Sequence, residues 1–304
     1  MTRWRSHGPV SIACEGVDRP IGMFDSGFGG LTVARAVIDL MPGEDLVYIG
    51  DTGRYPYGPK PRDEVRGYAA ELARSLVADH GVKAVIVACN TATAAGLDDM
   101  RAELPVPVLD VVTPGATSLV DATVTGRIGV IGTVGTVSSG AYVNAVEAAA
   151  RAAGREVELT SAACPGVVEF VERGQTTGDE VTVLGERLLA PIVAAKVDAL
   201  LLGCTHYPYL ARVISDVVGP DVTLVSSADE TAFAVLHTLG GLGLLRAPSA
   251  TAGTHRFLSS GDVGWFAELG ARFLGPELRA AESWSPVNRP AAAMRPTPQR
   301  EDTD

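Results

Sequence analysis

A chain of 304 residues is longer than one compact domain usually runs, so its length favours two medium domains with ample material for a core. It is 46% hydrophobic and 20% charged, yet no apolar run approaches the ~18 residues of a membrane-spanning helix, which argues against a helical membrane protein. The formal net charge of −11, with no Lys/Arg-rich run, leaves no electrostatic footprint for nucleic acid, so an anionic ligand has to be held by local groups.

Residues 1–19 are irregular, with early arginines at Arg3 and Arg5 but no continuous apolar stretch; no secretory leader is expected, and a cytoplasmic location is. The first expected strand is Ile21-Gly-Met-Phe24, which opens through a Gly-rich turn into a helix at Leu31–Leu40. A strand at Leu46–Ile49 follows, then a helix from Arg62 to His80 stopped by Gly81, and strands at Val85–Ala88 and Val106–Leu109. Further on come a strand at Ile128–Ile131, a helix from Ser139 to Ala153 stopped by Gly154, and a periodic helix from Gly178 to Lys196. Strands at Leu200–Leu202 and Val222–Val225 complete the series. From about residue 276 the chain repeats Pro, Arg, Ala and acidic residues with little periodicity, and this segment is expected to be a disordered tail. Short apolar strands alternating with helices imply an α/β fold with largely parallel sheets.

Two segments echo each other. Ala84-Val-Ile-Val-Ala-Cys89-Asn-Thr-Ala-Thr93 and Ala199-Leu-Leu-Leu-Gly-Cys204-Thr-His-Tyr-Pro208 both run an apolar strand into a cysteine followed by small polar residues. Ile21-Gly-Met-Phe-Asp-Ser-Gly27 and Ile128-Gly-Val-Ile-Gly-Thr-Val134 are likewise strands opening into a small-residue turn. The repeated order predicts two similar open α/β domains related by pseudo-two-fold symmetry, residues 20–113 plus 226–275 forming one and residues 114–225 the other. Loops after strand ends build ligand sites in open α/β sheets, so facing domains would set the cysteines across a cleft.

The four cysteines (Cys14, Cys89, Cys164, Cys204) include no CxxC pair, which suits neither a disulfide scaffold nor a standard structural zinc site. Cys14 and Cys164 read as small core residues. Cys89 and Cys204 are followed by Asn90-Thr91 and Thr205-His206, where a helix start would offer N–H groups that lower a thiol pKa. A nucleophilic-cysteine hydrolase would leave one thiol unexplained. Cys89, Cys204 and His206 could instead ligate a metal, or two opposed thiols could deprotonate a carbon acid on one face and reprotonate it on the other, inverting a stereocentre. The last chemistry requires no organic cofactor. A catalytically idle module that grips acidic ligands is a further alternative.

Asp25-Ser26-Gly27-Phe28-Gly29-Gly30, Gly50-Asp51-Thr52 with Pro56-Tyr57-Gly58-Pro59, and Cys89-Asn90-Thr91-Ala92 resemble, in order and spacing, the glutamate racemase family. So do Gly132-Thr133, Ala163-Cys164-Pro165 and Leu202-Gly203-Cys204-Thr205-His206-Tyr207-Pro208. The resemblance runs from about Ile21 to Leu274. It implies cofactor-independent and metal-free interconversion of L- and D-glutamate, supplying D-glutamate for peptidoglycan, by a cytoplasmic homo-oligomer, expected to be a dimer, with no membrane or nucleic-acid partner. It also implies that Cys89 acts on D-glutamate with help from Asp25, and Cys204 on L-glutamate with help from His206. Glu172 matches the accessory acid near that histidine. Asp25-Ser26, Tyr57-Gly58, Asn90-Thr91 and Thr205-His206 match the substrate-binding pairs. Phe28, Gly53-Arg54-Tyr55, Thr93 and Glu169 depart from the usual family wording and bear on substrate fit; an aspartate or other amino-acid racemase of the same plan is the alternative.

Overall fold

The computed structural model describes residues 16–247 and 251–286; Cys14 and residues 287–304 lie outside them. The first part of the chain alternates β1 (Ile21–Asp25), α1 (Leu31–Leu40), β2 (Leu46–Gly50), α2 (Arg62–His80), β3 (Ala84–Val87), α3 (Asn90–Glu103), β4 (Val108–Asp110) and α4 (Val112–Ala122). The middle part continues with β5 (Arg127–Gly132), α5 (Val134–Ser138), α6 (Ala141–Ala153), β6 (Glu158–Ala163), α7 (Val167–Glu172), α8 (Asp179–Ala195) and β7 (Ala199–Gly203). A 3-10 turn (Tyr207–Leu210), α9 (Ala211–Val218) and β8 (Thr223–Ser226) follow. The last described part holds α10 (Ser227–Gly241), β9 (His255–Ser259), α11 (Val263–Leu274) and β10 (Glu282–Ser283). Among the described residues no helix is long and apolar enough to cross a membrane.

The strands form two all-parallel sheets, one in the order β10-β9-β2-β1-β3-β4 and the other β6-β5-β7-β8. The chain therefore leaves the first sheet after β4 and returns to it after β8. β1, β2, β3 and β7 are buried along their whole length, which is why each reads as an unbroken apolar run rather than an alternation. Alternate residues still take opposite faces. Ile21 and Met23 of β1 pack with α1, α10 and α11, while Phe24 packs with α2. In the second sheet Leu200 and Leu202 face α8 and α9, and Ala199 and Leu201 face α4 and α6. α4 and α10, the two helices at the crossings between sheets, pack against each other.

The register brings the functional loops to one end of each sheet. Asp25 at the end of β1 lies beside Gly50 at the end of β2, with Cys89 just beyond β3, and Gly132 at the end of β5 lies beside Gly203, immediately before Cys204.

Two expectations are corrected. The helix expected over 139–153 starts slightly later, as α6 at Ala141, and a short helix not expected from sequence, α5, precedes it, the two being separated at Gly140 with φ 73°. A positive φ is strained for residues with a Cβ, and the glycine accommodates the break. Residues 276–286, read from composition as a disordered tail, are ordered against the first sheet. Glu282 and Ser283 pair with Leu258 and Ser259, Arg256 forms a bidentate bond to Glu282, and Trp284 is buried with its indole N–H donating to Ser75 Oγ at 2.9 Å. One buried tryptophan anchors a segment whose polar composition conceals it.

Candidate active site

The turn after β1 carries the first acidic group. Asp25 is fully buried; its Oδ2 accepts the N–H of Gly30 at 2.9 Å and of Gly27 at 3.3 Å, and its Oδ1 is buried without a hydrogen-bond partner. Burial raises the Asp25 pKa, against the charge of His206 and the backbone N–H groups that oppose the rise. The same turn approaches the second sheet very closely. A Cβ on Gly29 would stand 2.2 Å from Thr205 Oγ1 and 2.5 Å from His206 Nδ1, so only glycine lets the β1 and β7 loops meet in this way.

Cys89 has extended backbone angles and caps α3, its sulfur accepting the Ala92 N–H at 3.5 Å and its thiol facing Ser26 Oγ at 3.7 Å. The helix start expected from sequence is present, but it does not lower the thiol pKa. Burial pushes the Cys89 thiol well above the ordinary cysteine range, the Asp25 carboxylate adds to the rise, and the helix N–H offsets only part of it. Cys89 is thereby held as a neutral thiol.

Cys204 has a different setting. No α-helix starts there, and His206 itself precedes the 3-10 turn. His206 Nδ1 lies 3.8 Å from Cys204 Sγ, and Nε2 lies 3.0 Å from Glu172 Oε1. Burial works against the imidazolium, but the bonds to Cys204 and Glu172 outweigh it and push the His206 pKa up to about 10. Near neutral pH His206 is therefore a buried cation, donating from Nε2 to Glu172 and directing Nδ1–H toward the Cys204 sulfur.

These groups surround one pocket of about 650 Å³, partly open to solvent, between the strand ends of the two sheets. Asp25, Ser26, Tyr57, Gly58, Cys89, Asn90, Thr91, Cys204, Thr205 and His206 all line it; Glu172 does not, and reaches the site through His206. Among the described residues neither Lys nor Arg lines it. Asp25 Oδ1 and Asn90 Oδ1, both on lining residues, are buried with no hydrogen-bond partner among the described residues. Asn90 is oriented by its amide N–H, which donates to the Tyr142 hydroxyl at 2.7 Å.

Sequence reasoning missed part of the wall. Thr133, whose hydroxyl lies 3.0 Å from that of Thr91, lines the pocket, as do Tyr55, Val168 and Glu169. Thr133 had two sequence signals, the strand-to-turn echo and the Gly132-Thr133 motif of the resemblance, and Tyr55 and Glu169 entered only as departures bearing on substrate fit. Cys164, read as a core residue, packs in the core and also lines the pocket, its thiol pushed up to about 12 by burial and then by Cys204. It sits beyond the end of β6, and β5 separates β6 from β7. Two strand spacings are about 9.6 Å, too far for a Cys164–Cys204 disulfide. Among the described residues no group of three or more His, Cys, Asp and Glu side chains is placed to hold a metal ion, so the Cys89, Cys204 and His206 ligand set is not assembled.

The Asp/Glu/Hydantoin racemase family matches residues 31–235, and the chain belongs to that family of isomerases. A glutamate racemase from Parafrankia sp. is 52% identical over 276 residues, 91% of this chain and 96% of that protein. The crystal structure of a glutamate racemase from Bacillus anthracis superposes with a TM-score of 0.81 at 38% identity, covering 87% of this chain and 96% of that one. A glutamate racemase from Francisella tularensis in complex with D-glutamate gives a TM-score of 0.80 at 34% identity, covering 88% and 98%.

Proposed function

We propose that the protein racemises glutamate by a two-base mechanism in which Cys89 and Cys204 serve opposite faces of the substrate Cα. The observation that carries this reading is the pair of buried thiols, delivered by the strand-end loops of two different sheets, lining a single pocket. The unpartnered Asp25 Oδ1 and Asn90 Oδ1 are acceptors suited to the substrate ammonium. Ser26, Thr91, Thr205 and the Tyr57-Gly58 segment offer neutral donors to the carboxylates, in keeping with a wall that has no Lys or Arg among the described residues.

In the L-to-D direction a Cys204 thiolate, facing the His206 imidazolium, takes the Cα proton of L-glutamate. The electron pair of the C–H bond moves into the α-carboxylate, where hydrogen-bond donors in a largely buried site stabilise the developing charge. The Cys89 thiol then gives its proton to the opposite face of Cα, yielding D-glutamate with Cys204 protonated and Cys89 ionised. The reverse reaction restores the starting state, so each cysteine is base in one direction and acid in the other. Residues 20–113 plus 226–286 and residues 114–225 act in this reading as two domains closing on the substrate, in a cytoplasmic homodimer that supplies D-glutamate for peptidoglycan. The D-glutamate bound in the Francisella relative supports the choice of substrate.

The test is incubation with L-glutamate or L-aspartate followed by chiral separation. D-glutamate forming much faster than D-aspartate is expected; aspartate as the better substrate would overturn the assignment.

His206 also sets an expected pH dependence. The imidazolium that faces the Cys204 sulfur is lost as pH rises through about 10. Glu172→Gln removes one of the two contacts that raise this value, so the alkaline limb of kcat/KM moves to lower pH, by about one unit or more. The shift is the same for both enantiomers, because their equilibrium constant is unity at every pH. A pH–rate profile of Glu172→Gln that coincides with wild type would contradict the role given to this pair.

A further inference from the structure

Loop 51–59, between β2 and α2, supplies Tyr57 and Gly58 to the pocket wall, and the groups that hold it lie outside the pocket. Asp51 is completely buried. Its Oδ2 accepts the Tyr57 hydroxyl, and also Arg54 Nε at 2.7 Å, while Oδ1 accepts the Ser260 hydroxyl at 2.6 Å. Arg54 continues outward to Glu71 of α2, and its guanidinium lies 4.2 Å from the Tyr68 ring centroid and 5.6 Å from that of Trp284. Trp284 follows β10 and is fixed by its backbone N–H to Ser259 and its indole N–H to Ser75. At the far end of the loop the Gly58 carbonyl accepts the Gly135 N–H at 3.1 Å, and a Cβ on Gly58 would stand 3.1 Å from Thr133 Cβ. This loop is thus where the first sheet's wall meets the second sheet's.

We propose that Asp51 is a positioning residue for racemisation: with Arg54 and Trp284 it braces the Tyr57-Gly58 wall at the seam between the two halves of the pocket. A buried carboxylate that gathers a tyrosine, an arginine and a serine from two loops fixes one loop geometry, because moving any donor strands a buried charge. The carboxylate does not line the pocket. Its effect passes through Tyr57 and Gly58, and a misplacement of about 1 Å in a substrate wall is enough to cost about 100-fold. The inference rests on the glutamate racemase reading, and it gives the ordered segment ending at Trp284 a task in that reaction.

The test compares Asp51→Ala, Asp51→Asn, Trp284→Ala and Trp284→Phe, assayed well below their measured melting temperatures. Asp51→Ala raises KM for both enantiomers about tenfold or more, with a smaller fall in kcat. Asp51→Asn, whose single amide oxygen still accepts the Tyr57 hydroxyl while its NH2 turns to donate to the Ser260 hydroxyl oxygen, recovers part of that loss. Trp284→Ala, remote from the pocket, raises KM about threefold, and Trp284→Phe restores it. A wild-type KM in folded Asp51→Ala would overturn the proposal. Where Asp51→Ala does not fold, a wild-type KM in Trp284→Ala would overturn it instead. Wild-type protein that fails to racemise glutamate would overturn the function on which the brace rests, an outcome separate from either of these.

Discussion

Replacing Cys89 or Cys204 by alanine abolishes racemisation in both directions, by about 100- to 10,000-fold, the range lost with a general acid or base. The two variants differ in what remains. With Cys89 removed, Cys204 and His206 still face L-glutamate, so that enantiomer exchanges its Cα proton with solvent and is returned unchanged. With Cys204 removed, Cys89 does the same for D-glutamate only. Exchange is read by NMR in D₂O and configuration by chiral chromatography. Each sulfur is confined to the pocket and its immediate core, so both variants are expected to fold, with destabilisation inside the ordinary range of about 0.5–3 kcal/mol. Full racemase activity in either variant would contradict a mechanism that needs both thiols.

Gly29→Ala is expected to be nearly as damaging, although it removes no functional group. The added methyl would overlap Thr205 Oγ1 at 2.2 Å and His206 Nδ1 at 2.5 Å, and the imidazole is held on its other side by Glu172. Either the β1 turn or the β7 loop has to move, which shifts the His206–Cys204 pair relative to Asp25 and Cys89. The expected loss in kcat/KM is about 100-fold. Circular dichroism and thermal melting show whether the fold survives; a folded Gly29→Ala variant within twofold of wild-type activity would mean that this contact is not what fixes the geometry.

Both predictions depend on features that differ in how far sequence exposes them. The strands that carry the cysteines were legible because burial on both faces makes parallel strands continuous apolar runs, and the small polar residues after Cys89 and Cys204 mark strand ends. β6 and β9 were not legible. Glu158–Ala163 is mostly half-exposed, and His255–Ser259 begins with a half-buried His255 and an exposed Arg256, so neither shows the apolar pattern of an interior strand. Trp284 was hidden for a related reason: a single buried side chain gives no periodicity.

The site was legible in its residues and less so in its electrostatics. The echo between Ala84–Thr93 and Ala199–Pro208 suggests two equivalent thiols, but the fold treats them unequally. Cys89 begins α3 in a fully buried position beside Asp25, where desolvation outweighs the helix terminus, whereas Cys204 leads into a 3-10 turn and faces a histidine cation. No local pattern announces that cation, because it depends on Glu172, which lies in α7, 34 residues from His206. The resemblance of the motifs supplied that pairing, and the geometry gives it a physical reason.

The most direct test of a two-base racemisation is the isotope found at Cα during the first few per cent of conversion of protiated L-glutamate in D₂O. Two thiols on opposite faces predict that the D-glutamate formed carries solvent deuterium almost completely while the remaining L-glutamate keeps its proton. Transfer of the original proton into the D-glutamate product would contradict it, because a single base would then be carrying the proton from one face to the other.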